Sequence, residues 1–275
     1  MKLDLSKIEF SRKDIKDNII IPNILTIELA YLIGIHIGDG SMNIYKRKNC
    51  NSHDYKISYS GHLIDEKGFH KVIIKSLFEL IFNKKTKIIL DEREKHSCLK
   101  TYLTSKAILT FFHYSFGLPL GSKMNCDVPI IIKSSNINIK KSFLKGLADT
   151  EFCLTFKKRY RKKHYYPAIK FETQSKPLAK YVIKILEESG FKLTTTFNYV
   201  RYRKLTKTMV NSINLNGIDN LNLWMKEIGF SSTKHLTKYE VWKKFGFCPP
   251  NTNIIQRRNI LKGRLDINSF YGPVA

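Results

Sequence analysis

The hydrophobic and polar positions change period several times along the chain, and these changes divide it into elements. Before Asp39 the apolar residues are nearly continuous, Leu32, Ile33, Ile35 and Ile37 among them, while Ala30, Gly34 and Gly38 fall four apart on one helical face. This pattern predicts a helix ending at Asp39, with Gly40 where a chain commonly leaves a helix through a positive φ. A row of small side chains lets two helix backbones approach closely, so the helix expects a helical partner. An acid at a helix C-terminus opposes the macrodipole by a few tenths to ~1 kcal/mol, so a compensating positive charge is expected as well. Beyond Gly40 the period becomes two. Residues 42–48 and 55–59 predict a hairpin around a polar tip at 49–54. Residues 65–82 predict an amphipathic helix with Phe69, Val72, Ile73 and Leu77 on one side. Strands are expected at 87–90 and 99–103, then a helix capped by Ser105 that runs to Phe116 and stops at Gly117.

The second half replays this order 112 residues later. Ser142, Gly146 and Thr150 form the small row of a second helix whose terminal acid is Glu151. Strands at 155–160 and 166–173 flank a basic tip at 159–164. A helix at 177–189 presents Leu178, Tyr181, Val182 and Ile185 and stops at Gly190. Strands at 194–203 and 209–215 and a helix at 218–228, ending at Gly229, complete the copy. Gly34 matches Gly146, Asp39 matches Glu151, Ile73 matches Ile185, Phe112 matches Trp224 and Gly117 matches Gly229. Agreement at so many landmarks indicates an internal duplication. The expected organisation is an N-terminal arm (1–24), a first repeat (25–135), a second repeat (136–245) and a basic C-terminal tail (246–275). The tail carries a short helix near 253–262 and reads equally as packing or as a DNA contact.

Charge narrows the function. Lys and Arg number 48 against 23 Asp and Glu, a net charge of +25, while 43% of residues are hydrophobic and 12% aromatic. A chain of this kind buries a full core and still faces a polyanion. No run reaches the ~18 apolar residues of a membrane span, and the N-terminus lacks a secretory pattern, so no membrane partner is expected. The five cysteines are odd in number and scattered, which fits reduced thiols inside a cell better than a zinc site.

The segments Gly34-Ile-His-Ile-Gly-Asp-Gly40 and Gly146-Leu-Ala-Asp-Thr-Glu-Phe152 resemble the two signature helices of LAGLIDADG homing endonucleases, in the form where one chain carries both copies. The resemblance spans roughly residues 25–245. It implies an α+β fold of two pseudo-symmetric αββαββα repeats with two antiparallel β saddles, packed through the paired motif helices. It also implies hydrolysis of both strands of a long, asymmetric DNA target, leaving 3′ overhangs, by a monomer. Asp39 and Glu151 would be the catalytic acids. With the carbonyls of Gly38 and Thr150 they would hold two or three Mg²⁺ ions shared with the scissile phosphates.

Lys123 and Lys234, in the loops expected after each repeat's last helix, would stabilise developing charge, the second arriving one residue early. His62 and Gln174 would order metal-bound waters. Asp149 has Ile37 as its counterpart and reads as a supporting group. Phe152 departs from the expected glycine and bears on the second metal site. Tyr45, Arg47, Tyr55, Tyr59, Lys158, Tyr160, Tyr166, Lys170, Tyr199, Arg201 and Arg203 would line the DNA-facing saddles, with the tip around Arg161 on phosphates. The alternative reading is an RNA maturase that helps its own intron splice, which needs the basic surface but not the acids. A prokaryotic cytoplasm is the expected location, with an organelle matrix as the alternative.

Overall fold

The first motif segment is helical because its apolar residues can all be buried and Thr26 caps its start through the Leu29 N–H. A computed structural model describes residues 1–48, 52–91, 97–203 and 206–271; part of the first hairpin tip, the last four residues of the tail and the Arg203 side chain lie outside it. A short helix α1 (Arg12–Lys16) precedes this helix, α2 (Ile27–Asp39), which is followed by β1 (Gly40–Lys46) and β2 (His53–His62). A π-helical turn (Phe69–Ile74) runs into α3 (Lys75–Phe82); β3 (Lys87–Asp91), β4 (Cys98–Thr104) and α4 (Lys106–Phe116) follow. Then come α5 (Ile130–Lys133), α6 (Ile137–Glu151), β5 (Phe152–Lys157) and β6 (Tyr166–Thr173). After α7 (Lys176–Glu188), β7 (Thr194–Arg203) and β8 (Thr206–Asn216), the chain closes with α8 (Ile218–Glu227), α9 (Thr233–Phe245), α10 (Ile254–Leu261) and a 3₁₀ turn (Ile267–Tyr271).

Among the described residues there are two four-stranded antiparallel sheets, ordered β1-β2-β4-β3 and β5-β6-β8-β7. The duplication extends to register. Gly40 pairs with Tyr59 as Phe152 pairs with Phe171, and Ser58 pairs with Tyr102 as Lys170 pairs with Asn214. The constant offset fails at the fourth strand. Lys87 faces Tyr102 whereas Thr194 faces Asn214, an offset of 107, and β7 carries an irregularity between Thr196 and Tyr199.

The chain divides into two compact units, one of residues 1–63 with 67–150, the other of 64–66 with the rest from 151. The first therefore contains both motif helices up to Thr150. Its core gathers Tyr59, Phe78, Phe82, Phe111 and Phe112, all fully buried. The second is built on Phe152, Phe171 and Trp224. Among the described residues no helix is long and apolar enough to cross a membrane.

Several local expectations need correction. The helix expected from residue 65 starts at Phe69 with a wide π turn. That turn buries His70, whose Nδ1 lies 2.9 Å from the Thr101 hydroxyl, and leaves Val72 60% exposed. The first strand of the second hairpin ends at Lys157, so Lys158 and Tyr160 belong to the tip and not to the sheet face. Helix α9 begins at Thr233, so Lys234 lies on a helix where a loop was expected.

Candidate catalytic and nucleic-acid-binding site

Helices α2 and α6 cross at their glycines. A Cβ added to Gly34 would lie 2.1 Å from the Phe143 carbonyl oxygen and 2.8 Å from the Leu147 nitrogen; one added to Gly146 would lie 2.0 Å from the Tyr31 oxygen and 3.0 Å from the Ile35 nitrogen. Each set of partners is the other shifted by 112 residues, so the crossing is reciprocal, as a local twofold requires. Two further bonds flank it. The Tyr31 hydroxyl donates to buried Asp149 Oδ2 at 2.6 Å, and the Ser142 hydroxyl donates to the Ile27 carbonyl at 2.8 Å. Asp149 is thereby a rung between the helices.

Asp39 ends α2 and is half-buried; Glu151 ends α6 and is exposed. Each acid stands five residues beyond its crossing glycine. The charge expected to compensate the first helix end is Lys123. Its ammonium donates to the His36 carbonyl at 3.2 Å, to that of Ile37 at 2.8 Å and to that of Gly38. A cation on three terminal carbonyls offsets the macrodipole by up to ~2 kcal/mol. Gly40 is required for a different reason from the one expected, since its backbone is extended (φ −75°, ψ 153°). A Cβ there would come within 2.4 Å of His36 Nδ1.

That imidazole explains the second copy's departure. His36 is buried, 3.0 Å from the Tyr59 hydroxyl, with its ring edge-on to Tyr59 and Phe112 at 5.6 and 5.1 Å. Burial, helped by the Lys123 charge, pushes its pKa down to about 3, so it is neutral. The matching positions in the second copy are Ala148 and Phe152. The Phe152 ring lies 4.7 Å from Phe171 and 5.2 Å from Trp224, the counterparts of Tyr59 and Phe112. One aromatic ring fills this place in each copy, supplied by the helix in the first and by the strand in the second. Phe152 is thus a packing residue.

In the second unit the basic groups are held differently. Lys234 lies in the first turn of α9 and its ammonium is 2.6 Å from Glu66 Oε1. Lys238, one helical turn on, is half-buried and donates to the Leu154 carbonyl at 3.0 Å; burial lowers its pKa. Buried Arg257 of α10 donates to the Thr237 hydroxyl at 2.9 Å and reaches Asp65 at 3.4 Å. Sequence reasoning passed over Lys238 and Arg257, because their partners, the Leu154 carbonyl for one and Thr237 and Asp65 for the other, are brought to them only by the fold. His62 ends β2 and Gln174 follows β6; both are exposed.

The saddle residues divide. Tyr45, Tyr199 and Tyr160 are exposed, at 52%, 53% and 93%. Tyr55 is half-buried beneath the Lys106 ammonium. Tyr59 is not a surface residue at all, because Tyr55, Ile57 and Tyr59 share the strand face turned to the core. Arg47 is paired with Asp54 at 2.5 Å. Lys170 and Arg201 both bind Glu172, Lys170 at 2.7 Å, and their bonds outweigh the upward pull of burial to keep that carboxyl's pKa low. Glu172 lies two residues from Lys170 on the same strand face, a signal present in the sequence.

No protein-family model matches the sequence, and no curated protein is similar to it. The fold, however, is that of solved LAGLIDADG homing endonucleases. I-DmoI in complex with DNA and Mn aligns with a TM-score of 0.51 at 20% identity, over 74% of this chain and 97% of that one. I-GzeII in complex with its DNA target aligns with a TM-score of 0.51 at 13% identity, over 90% of this chain and 95% of that one.

Proposed function

We propose that this protein is a divalent-metal-dependent, site-specific endonuclease of double-stranded DNA. The observation that carries the reading is the reciprocal crossing of α2 and α6, with one acid five residues beyond each crossing glycine. The fold shared with DNA-bound homing endonucleases and the net charge of +25 support it.

Among the described residues no group of three or more His, Cys, Asp or Glu side chains gathers into a metal cluster. The available donors are carboxylate and carbonyl oxygens, which suit a hard cation such as Mg²⁺ that retains water and takes substrate phosphate oxygens. Asp39 and Glu151 would hold it, and when bound it supplies charge stabilisation at the scissile phosphate and an acidified water. The chain's own part is positional. The glycine crossing sets the acids, Lys123 neutralises the helix end behind Asp39, and the Tyr31–Asp149 bond fixes the helices lengthwise. Lys234, beside Glu66, would stabilise negative charge developing at the phosphate. Double-strand cutting with 3′ overhangs by a monomer in a cell's interior belongs to the same reading.

The test is cleavage of a plasmid carrying the uninterrupted host junction, with Mg²⁺. Asp39→Asn and Glu151→Gln should each lower cutting at least about a hundredfold while binding persists. Intact plasmid with the wild-type protein and correct junction defeats the proposal. Splicing of a host intron that survives in both acid variants would favour the maturase reading.

A further inference from the structure

The hairpin tip between β5 and β6 places three of its cations each on an aromatic ring. The Arg159 guanidinium is 3.6 Å from the Tyr166 ring centre, Arg161 is 4.4 Å from that of Tyr165, and the Lys163 ammonium is 4.3 Å from that of Phe247. The first two rings belong to the hairpin itself. The third comes from the C-terminal segment, which holds the same tip at several further points. Asn268 Oδ1 accepts from the Lys163 ammonium at 2.9 Å, and the Tyr271 hydroxyl accepts from the His164 N–H at 3.2 Å. The Cys248 N–H donates to the His164 carbonyl at 3.0 Å; from α9, outside that segment, the Trp242 indole donates to the carbonyl of Tyr165 at 2.8 Å. The Phe247 and Tyr271 rings pack edge-on at 5.7 Å.

These cations differ from others offered to DNA. Arg47 is paired with Asp54, and Lys170 and Arg201 are paired with Glu172. Among the described residues Arg159, Arg161 and Lys163 pair with no carboxylate. A cation resting on a ring keeps its charge while losing conformational freedom, so less is left to lose on binding. The tip is an irregular turn beyond the ends of β5 and β6, outside the ribbon that would enter a groove, which suits phosphates.

We propose that residues 159–163 form a pre-ordered clamp for the phosphodiester backbone of a DNA duplex, and that the C-terminal segment completes it by seating Lys163 and His164. The tail then acts through the tip and not by its own contact with DNA. The clamp's biological setting rests on the endonuclease reading, but its test does not.

The experiment is binding of a short duplex of mixed sequence to the full chain without divalent metal, followed by fluorescence anisotropy from about 50 to 200 mM salt. Each cation withdrawn from phosphate should reduce the steepness of log K against log salt by about 0.9. Replacing Arg159, Arg161 and Lys163 together by Gln should therefore remove up to about 2.7. Phe247→Leu and Tyr271→Phe should each remove a part of Lys163's ~0.9. Tyr271→Phe deletes only a hydroxyl, and an unchanged unfolding midpoint separates its effect from misfolding. A triple variant with the wild-type slope overturns the clamp. A flattened triple variant beside wild-type slopes in both tail variants overturns the tail's part. Plasmid cleavage separates this idea from the one beneath it: altered slopes in a protein that cuts nothing leave the clamp standing and remove the nuclease.

Discussion

Gly34→Ala should destabilise this protein strongly, although alanine is the better helix former. On an isolated helix the change would gain about 1 kcal/mol in propensity. Here the new Cβ meets the Phe143 carbonyl oxygen at 2.1 Å, and relief to an ordinary 3.4 Å contact demands a movement of 1.3 Å. The obstacle is backbone, so no rotamer change helps and the two helices must separate. Overpacking of this kind costs roughly 1–3 kcal/mol and sometimes more. The same movement would stretch the 2.6 Å bond from Tyr31 to buried Asp149 beyond bonding range, at about 1–3 kcal/mol. The net loss should be about 3 kcal/mol or more, and Gly146→Ala should match it because its contacts are the mirror set. Urea unfolding of the full chain measures both; Ser142→Ala, which removes one hydrogen bond and adds nothing, is the control. At a temperature where Gly34→Ala remains folded, cleavage should fall about a hundredfold, the usual consequence of a 1 Å misplacement. A higher unfolding midpoint for Gly34→Ala would show that propensity wins and that the helices do not meet backbone to backbone.

Other expectations are as direct. Lys123→Met removes the ammonium from three helix-end carbonyls and should cost about 1–2 kcal/mol, read as a lower thermal midpoint that high salt hardly changes. Neutral, buried His36 has a folded pKa of about 3 against ~6.5 when unfolded, so the unfolded chain binds the extra proton and stability falls as pH drops between those values. His36→Phe should flatten that part of the stability–pH curve by up to about 1.4 kcal/mol per pH unit; identical slopes in the two proteins would contradict the assignment. Glu172→Gln releases Arg201 and Lys170, so binding to mixed-sequence DNA should tighten and its salt dependence steepen, while discrimination among target sequences weakens.

The sequence revealed the duplication because packing constraints repeat wherever geometry repeats. The crossing glycines Gly34 and Gly146 and the stops at Gly117 and Gly229 are positions where only one or two residue types fit, so both copies show them, whereas the cap at Ser105 is legible in one copy alone, its counterpart being Gly217. The strands were legible to within a few residues. The π turn at Phe69 was not, since a helix that shifts period in mid-course presents no steady apolar stripe. The parity of β2 was misjudged because its core face carries tyrosines, whose hydroxyls make them look like surface residues; Tyr59 is buried with its hydroxyl satisfied by His36. The edge strands β3 and β7 are out of step from the first pair of β7, where the offset is already 107, and the irregularity between Thr196 and Tyr199 changes it little. Residues whose surroundings are assembled only by the fold, Arg257 and Lys238 above all, carry no local mark.

The pair His36–Gly40 against Ala148–Phe152 shows why a residue-by-residue match misleads in a duplicated protein. Read singly, Phe152 is a lost glycine beside a catalytic acid, and His36 is a polar intruder in a helix row. Read by volume, each copy needs one ring against an aromatic pair, Tyr59 with Phe112 or Phe171 with Trp224, and one small residue to leave room for it. The two copies satisfy that need in opposite ways, and a ring on both elements is forbidden by the 2.4 Å approach at Gly40. The two exchanges are therefore coupled. Gly40→Ala should be less harmful in a His36→Ala background, where the two ring contacts at 2.4 and 2.7 Å are gone and the residue 36 carbonyl at 2.6 Å stays, than in the wild type. Strict additivity in that double-mutant cycle would mean that the ring and the glycine do not share a space, and Phe152 would return to being an unexplained change beside Glu151.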